Sequence, residues 1–194
     1  MLMRLEAPAV RAAQPEDAAD LTQFVLFASE GLSARFWAGL AGPGEAPIDV
    51  GRRRIRDAEG EMSWRNAVVA ELGGRVAGGL YSRHIGAERP LDGIPAIFRP
   101  LQALENLAVG TRYVHVLATH PEFRRRGVGS RLLAEAERAG RGTRGLSLVV
   151  ADRNHAARRL YEAWGFVEEA QAPMVKDGWE SGSSSWILML RPAG

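Results

Sequence analysis

Strand-like and helix-like segments alternate in the second half of the chain, and this order constrains the fold more than any other feature. Residues 113–118 and 145–150 have the apolar character of strands, and residues 127–139 between them place their apolar side chains on one helical face. A helical segment at 154–164 and a strand-like segment at 185–190 follow. A strand–helix–strand unit of this length implies a parallel strand pair with a right-handed crossover.

The first half of the chain adds a hairpin and several shorter helical segments. Two β-like runs at 67–72 and 75–81 flank Gly73-Gly74, a pair that favours a tight hairpin turn. Two consecutive glycines inside the second run predict a bulge or a close backbone approach. The remaining segments are a short strand at 8–13 and helices at 15–28, 33–40, 48–59 and 96–104. Together these elements predict one α/β domain over residues 1–194, with a mixed sheet flanked by helices.

The composition excludes several kinds of chemistry. Cysteine is absent, so the chain has no disulfide, no thiolate metal site and no cysteine nucleophile. The four histidines lack zinc-like spacing, and we expect no metal. Lys176 is the single lysine among 25 basic residues, so the arginine content reflects usage along the whole chain and does not by itself indicate a nucleic-acid partner. No apolar stretch is long enough to span a membrane, and we expect a cytoplasmic protein.

An arginine- and glycine-rich segment at residues 124–130, here called the glycine turn, joins the first of these strands to the helix after it. The first N–H groups of a helix have no partner within the helix, and the helix dipole adds positive charge there, so the turn predicts a pyrophosphate site. Gly127 and Gly129 would let the backbone approach the phosphates closely. Three arginines add charge: Arg124, Arg125 and Arg126. The alternative is an ordinary strand-to-helix turn with solvated arginines.

Asn154 and Tyr161 form a second candidate pair on the helix that follows the next strand. They lie seven residues apart, which is two helical turns, and so share a face. Asparagine is also a good N-cap. The structural alternative is therefore that Asn154 caps the helix and that Tyr161 packs with its hydroxyl at the surface.

Both segments resemble the acetyl-CoA motifs of the GCN5-related N-acetyltransferase (GNAT) family. Arg124-x-x-Gly127-x-Gly129 matches the family's Q/R-x-x-G-x-G/A signature, and the run from Asn154 through Tyr161 to Phe166 is similar to its second motif. The resemblance covers residues 112–167. It implies a mostly antiparallel sheet with a splayed parallel strand pair at its centre. It also implies transfer of an acetyl group from acetyl-CoA to a primary amine by direct attack in a ternary complex.

The resemblance assigns a role to each candidate residue. The backbones of Leu117, Ala118 and Thr119 would pair with the pantetheine arm, and the N–H of Leu117 or a neighbour could polarise the thioester carbonyl. Asn154 would hydrogen-bond the pantetheine or the strand edge, and Tyr161 would protonate the leaving thiolate. The pyrophosphate would be held by Arg124, Arg125, Arg126, Gly127, Val128, Gly129 and Ser130.

The general base is less clearly indicated. Many relatives carry a carboxylate on the strand before the signature, and residues 111–116 of this chain contain none. His115 has a suitable intrinsic pKa, although a histidine on an apolar strand is commonly a satisfied core residue. Glu105 is the other candidate, with a solvated or capping role as its alternative.

The acceptor is predicted to be a small-molecule or peptide amine, bound by elements at about 30–62 and 84–110. Candidate lining residues are Tyr81, Phe98, Glu105, His115 and Trp179. Dimers are common in the family, so a homodimer stays open. Two other functions also stay open: a nonenzymatic acyl-CoA-binding or regulatory domain of the same fold, and a nucleic-acid-binding module built on the arginines at 52–56.

Overall fold

Seven strands form one sheet in the order β1-β2-β3-β4-β5-β7-β6 in the computed structural model, which describes residues 7–57 and 60–194. All neighbouring strands run antiparallel except β4 and β5, which are parallel. The mostly antiparallel mixed sheet with one parallel pair is therefore confirmed. The strands are β1 (Ala9–Ala12), β2 (Ala67–Leu72), β3 (Arg75–His84), β4 (Arg112–Thr119), β5 (Gly145–Ala151), β6 (Val167–Pro173) and β7 (Ser185–Pro192).

Within the described residues, six α-helices flank the sheet. They are α1 (Ala18–Ala28), α2 (Leu32–Ala38), α3 (Pro47–Arg56), α4 (Arg99–Asn106), α5 (Val128–Ala139) and α6 (His155–Ala163). Several predicted helix boundaries differ by up to three residues from those observed, as two examples show. The helix predicted at 48–59 ends at Arg56, and residues 58 and 59 lie outside the described residues. The helix predicted at 96–104 opens as a 3₁₀ turn at Ala96–Phe98 before Arg99 and Pro100 begin the α-helix; proline is well tolerated in a first turn.

Two consecutive glycines in β3 let helices lie directly on the sheet. A Cβ on Gly79 would come within 2.5 Å of the Phe24 ring of α1. A Cβ on Gly78 would lie 2.7 Å from the Ala118 carbonyl oxygen and 2.7 Å from Val128 at the start of α5. The predicted close approach at these glycines is confirmed, and it brings α1 and α5 against opposite faces of the strand.

β4 and β5 pair over only three residues and then separate. The parallel register runs from Arg112 opposite Leu146 to Val114 opposite Leu148 and ends there. On its other side, β4 carries a bulge, because Tyr81 of β3 faces Val116 while the next residue of β3 faces Val114. The residue between these two, His115, is the extra residue of the bulge. The predicted splayed pair is present, and a gap opens between the two strands beyond Val114.

The helices divide between the two faces of the sheet. α5 and α6 cover the face that carries Val114, Leu148 and Met189. α1 and α4 cover the opposite face, which carries Val116 and Tyr113. Among the described residues, no helix has both the length and the apolar character needed to cross a membrane.

Candidate active site

The gap between β4 and β5 exposes backbone groups of β4 that no strand pairs. The His120 N–H donates to the Ala77 carbonyl at 2.9 Å, so alternation along the strand turns the backbone groups of Ala118 toward β3. The same alternation turns those of Leu117 and Thr119 toward the gap. Of the three residues predicted to contact pantetheine through their backbones, Leu117 and Thr119 therefore turn those groups toward the gap. The backbone groups of Ala118 point to β3 instead.

The glycine turn leaves a run of backbone N–H groups without acceptors. The Arg124 N–H donates to Pro121 O, and the next described backbone donor is Arg131, to Gly127 O, so the N–H groups of 125–130 have no backbone acceptor among the described residues. Arg125 and Gly127 have left-handed φ angles of 61° and 80°. Left-handed residues curve the backbone of a turn, and successive N–H groups in such a turn can form one concavity that binds an anion. This concavity fits the predicted pyrophosphate.

The structure gives each of the two glycines of this turn a reason of its own. The position of a Cβ on Gly127 is open among the described residues, and the turn requires a left-handed φ there. A Cβ on Gly129 would lie 3.0 Å from the Leu160 side chain, so this glycine permits the packing of α5 against α6. The close approach to a phosphate that the sequence suggested for both glycines stays a prediction.

Asn154 follows the structural alternative considered for it, whereas Tyr161 does not. The Asn154 side chain accepts a hydrogen bond from the Ala157 N–H at 3.2 Å and caps α6. Tyr161 is buried, 5.8 Å from the Phe166 ring, in the cluster that includes Val114 and Leu148 beside the gap. Burial raises the pKa of Tyr161 to about 12. Its phenol is therefore protonated at neutral pH and available as a proton donor.

A cavity of about 540 Å³ lies on the other face of the sheet. Its walls come from α1, α2, α3, α4, the segment after α3 and the segment between β3 and α4. Its floor includes His115 and Val116 of β4 and Val149 of β5, at the point where the two strands separate. The cavity and the gap therefore meet, and the segments predicted to bind the acceptor, 30–62 and 84–110, supply most of the walls.

His115 faces this cavity and is not a satisfied core residue. Solvent reaches the side chain through the cavity, and no described residue makes a hydrogen bond with it. The bulge explains this orientation, because the extra residue turns both His115 and Val116 toward the same face. The depth of the cavity floor withdraws the ring from bulk water, and this desolvation, followed by the positive charge of Arg83, lowers the pKa of His115 to about 4. The imidazole is therefore neutral near pH 7, and the lone pair of its unprotonated ring nitrogen can accept a proton.

Glu105 is buried, so the solvated role considered for it is wrong. It is 8% exposed and pairs with the Arg83 guanidinium of β3. Burial raises the pKa of Glu105, and Arg83 opposes that rise. Arg83 also lies over the Tyr113 ring, 5.4 Å from its centroid. Glu105 lines the cavity beside His115, and its carboxylate already has a cationic partner.

The predicted lining residues divide into two groups. Phe98, Glu105 and His115 line the cavity. Tyr81 does not, because its hydroxyl donates to the Met62 carbonyl at 3.1 Å beneath the floor. Trp179 also does not, since its indole N–H donates to Val175 and its ring stacks on Trp186.

The comparisons with known proteins agree with this geometry. The model of the Acetyltransferase (GNAT) family matches residues 43–166, which include β4, the glycine turn, β5 and α6. The chain belongs to the GNAT acetyltransferase family. The donor of this family is acetyl-CoA, and the gap and the glycine turn are the parts of the chain that fit it. No curated protein matches the sequence.

Solved structures share the GNAT fold along nearly the whole chain. The N-acetyltransferase of Staphylococcus aureus Mu50 superposes with a TM-score of 0.65 at 19% identity, covering 94% of this chain and 100% of that one. Ard1 from Thermoplasma volcanium gives a TM-score of 0.59 at 19% identity, with 96% and 98% covered. A mutant agmatine N-acetyltransferase in its apo form gives 0.63 at 14% identity, with 97% and 100% covered. At these identities the similarity shows the fold alone.

Several charged residues of the GNAT cavity were missed by the sequence reasoning, Asp57 among them. Arg83, Arg89 and Glu61 line it together with Glu105. Arg83 lies on β3 between Ser82 and His84. A charged residue on the face of a strand that helices cover can in principle be recognised from the sequence as a possible site residue. Arg89 and Glu61 lie in irregular segments and carried no comparable signal.

The four arginines of α3 are exposed, and two of them are paired with carboxylates. Arg52 pairs with Asp49 and Arg53 with Glu45. Arg54 lies over the Phe36 ring and lines the cavity. The net charge of this surface is therefore lower than the arginines alone would give. No cluster of potential metal ligands occurs within residues 7–57 and 60–194.

Proposed function

We propose that this GNAT protein transfers the acetyl group of acetyl-CoA to a primary amine that binds in the cavity. The observation that carries the proposal is that the cavity opens onto the splayed strands at His115, Val116 and Val149. A donor in the gap and an acceptor in the cavity would meet at that junction. Positioning the two reactants in this way supplies a large part of the rate of such a transfer.

The donor would be held by groups that have no other partner among the described residues. The free N–H groups of the glycine turn suit a pyrophosphate, and the arginines at 124–126 add charge. The backbone groups of Leu117 and Thr119 suit an extended amide chain such as pantetheine. The N–H of Leu117 or a neighbour in β4 would stabilise the developing oxyanion, a contribution of about 10²–10³ in rate. Asn154, which caps α6, acts by fixing the helix that carries Tyr161.

The reaction needs one proton donor and one proton acceptor. The amine nitrogen attacks the thioester carbonyl carbon, a carbon–nitrogen bond forms, and the carbon–sulfur bond breaks. Tyr161 donates its proton to the departing thiolate. The proton lost by the amine passes to His115, directly or through water. Glu105 is less suited to this step, because Arg83 occupies its carboxylate.

A coupled assay tests the proposal. The full chain is incubated with acetyl-CoA and a panel of primary amines, free thiol is measured with a thiol-reactive dye, and acetylated amine is identified by mass spectrometry. We expect thiol release that depends on the amine and matches the amide formed. Tight binding of acetyl-CoA without amide from any amine would instead support a nonenzymatic acyl-CoA-binding domain.

A further inference from the structure

Every carboxylate at the catalytic end of the cavity, among the described residues, is already paired with an arginine. Arg83 contacts Glu105 through one guanidinium nitrogen and lies 3.8 Å from Glu61 through another. Arg89 contacts Glu61 as well. These four side chains are here called the ion network. They connect β3 and α4 with the segment after α3 and with the segment between β3 and α4. They contain two positive and two negative charges.

The other charged side chains of the cavity are balanced too. Arg54 and Asp57 come from the C-terminal end of α3 and carry opposite charges. Among the described residues, the lining therefore holds three arginines and three carboxylates, while the imidazole of His115 is neutral. A cationic group that enters this cavity loses hydration, and the described lining has no surplus negative charge that would compensate for that loss.

Most of the rest of the lining is apolar, and the polar exceptions include Ser29, Ser33 and Gln102. Phe36 and Phe98 meet edge to face at 5.3 Å between ring centroids and form one wall. Aliphatic side chains extend this wall: Val25, Leu32, Ile94 and Leu101. A cavity of about 540 Å³ has the size of a small-molecule site, and an aromatic wall favours a flat or branched apolar body.

We propose that the acceptor is a monoamine, with one primary amino group on an apolar body, and that the ion network excludes polycationic amines. This inference rests on the proposed function and names its substrate class. The reacting amino group lies at His115 and attacks as the neutral amine, after its ammonium proton has passed to water, so it needs no permanent counter-ion. The apolar body lies against Phe36 and Phe98. A second ammonium would remain charged and would find Glu61 and Glu105 already neutralised.

Arg89 is the specificity-determining residue that can be tested without disturbing the fold. Its side chain and that of Glu61 are about half exposed, at 49% and 48%. Replacing Arg89 by glutamine leaves Glu61 with only the distant Arg83 contact. The cavity then has a surplus negative charge where a second ammonium can bind.

The experiment compares 2-phenylethylamine with agmatine and spermidine as acceptors for the full chain. We expect kcat/KM for 2-phenylethylamine to exceed that for either polycation by at least about tenfold. In Arg89→Gln, we expect this ratio to fall at least about fivefold, through a lower KM for the polycations. Arg138→Gln, which removes an exposed pair on α5, is the control and keeps the wild-type ratio. Higher kcat/KM for a polycation, or for a short peptide with a free N-terminus, would overturn the proposal, as would an unchanged ratio in Arg89→Gln.

Binding separates this inference from the proposed function. Calorimetry with the CoA-loaded protein measures the Kd of each amine without turnover. Preferential binding of 2-phenylethylamine, lost in part in Arg89→Gln, supports the substrate class even if no amide forms, and the transfer reaction alone then fails. Preferential binding of agmatine or spermidine overturns the substrate class even if the enzyme acetylates both kinds of amine.

Discussion

A tyrosine and a histidine reach the gap between β4 and β5 from opposite faces of the sheet. Tyr161 lies in the cluster under α5 and α6, whereas His115 lines the cavity under α1 and α4. The strands that separate them also form the edges of the gap. In the proposed reaction, the residue that protonates the leaving group and the residue that accepts the amine proton would therefore not compete with each other.

Replacing Tyr161 by phenylalanine tests the proton donor. The ring stays packed on Phe166, and its hydroxyl hydrogen-bonds no other described residue, so we expect little change in stability. We expect kcat to fall by about 10²–10⁴, the usual contribution of a general acid. Calorimetric Kd values for acetyl-CoA should change less than about twofold. A kcat close to that of the wild type would remove Tyr161 from this role.

Replacing His115 by glutamine tests the ionisation of the imidazole through stability. Its folded pKa is lowered to about 4, below its ordinary value of about 6.5, so between these values the unfolded chain binds more protons than the folded one. Stability from this group is therefore fully present above pH 6.5 and is lost as pH falls toward 4. We expect His115→Gln to lose less stability than the wild type between pH 7 and about pH 4.5 in urea denaturation.

A matched histidine variant controls for general acid effects in that experiment. His155, at the exposed start of α6, is replaced by glutamine and is expected to follow the wild-type pH dependence. If His115→Gln and His155→Gln lose the same stability on acidification, the lowered pKa of His115 is not real.

At the scale of elements, the site depends on how closely helices approach β3. The bare backbone at Gly78 lets the start of α5 sit against the sheet beside Ala118, and that start is also the end of the glycine turn. Gly129 lets α5 pack closely on α6, and this contact sets the position of the glycine turn relative to Tyr161. The donor site is therefore positioned by helix and strand contacts at these glycines.

Replacing Gly78 by alanine should disturb both the fold and the turn. The new Cβ would lie 2.7 Å from a backbone oxygen, which cannot move as a flexible side chain can. We expect a loss of about 1–3 kcal/mol in the free energy of unfolding, together with weaker acetyl-CoA binding because Val128 is displaced. Gly182→Ala, at a position with open surroundings, should stay within about 0.5 kcal/mol. Equal urea midpoints for the two variants would contradict this reading of β3.

At the scale of the whole molecule, the ion network joins the acceptor side to the sheet. Arg83 belongs to β3 and Glu105 to α4, and they meet across a sequence separation of 22 residues. The side chains are 21% and 10% exposed, so the pair is largely withdrawn from water. Such a pair contributes modestly to stability when complete, and it is costly when one partner is missing.

A double-mutant cycle tests this asymmetry. Arg83→Met leaves Glu105 buried without its charge partner, and we expect a loss on the order of 3 kcal/mol in the free energy of unfolding. Adding Glu105→Met removes the unpaired carboxylate and should recover part of that loss. Chemical denaturation of the wild type, both single variants and the double variant gives the coupling. A double variant no more stable than Arg83→Met would show that the pair does not act as a unit.

Much of the donor side could be predicted from the sequence, and much of the acceptor side could not. The glycine turn and the cap at Asn154 depend on neighbouring residues in one segment, so their positions followed from residue types and spacing. The structure adds roles in backbone conformation for Gly127 and in helix packing for Gly129, which the sequence did not indicate. A solvated role was weighed for Glu105 as the alternative to catalysis because nothing near it in sequence indicates Arg83, which the fold brings to it.

The sequence by itself determined the order of the elements, the parallel strand pair and the turn between β4 and α5. These follow from hydrophobic periodicity and from local backbone preferences, which act over a few residues. Only the tertiary structure decided that His115 faces a cavity, that Arg83 neutralises Glu105, and that this cavity opens onto the gap at Val116 and Val149. The physical reason is register: one extra residue in β4 changes which side chains face the helices, and that depends on the pairing with β3.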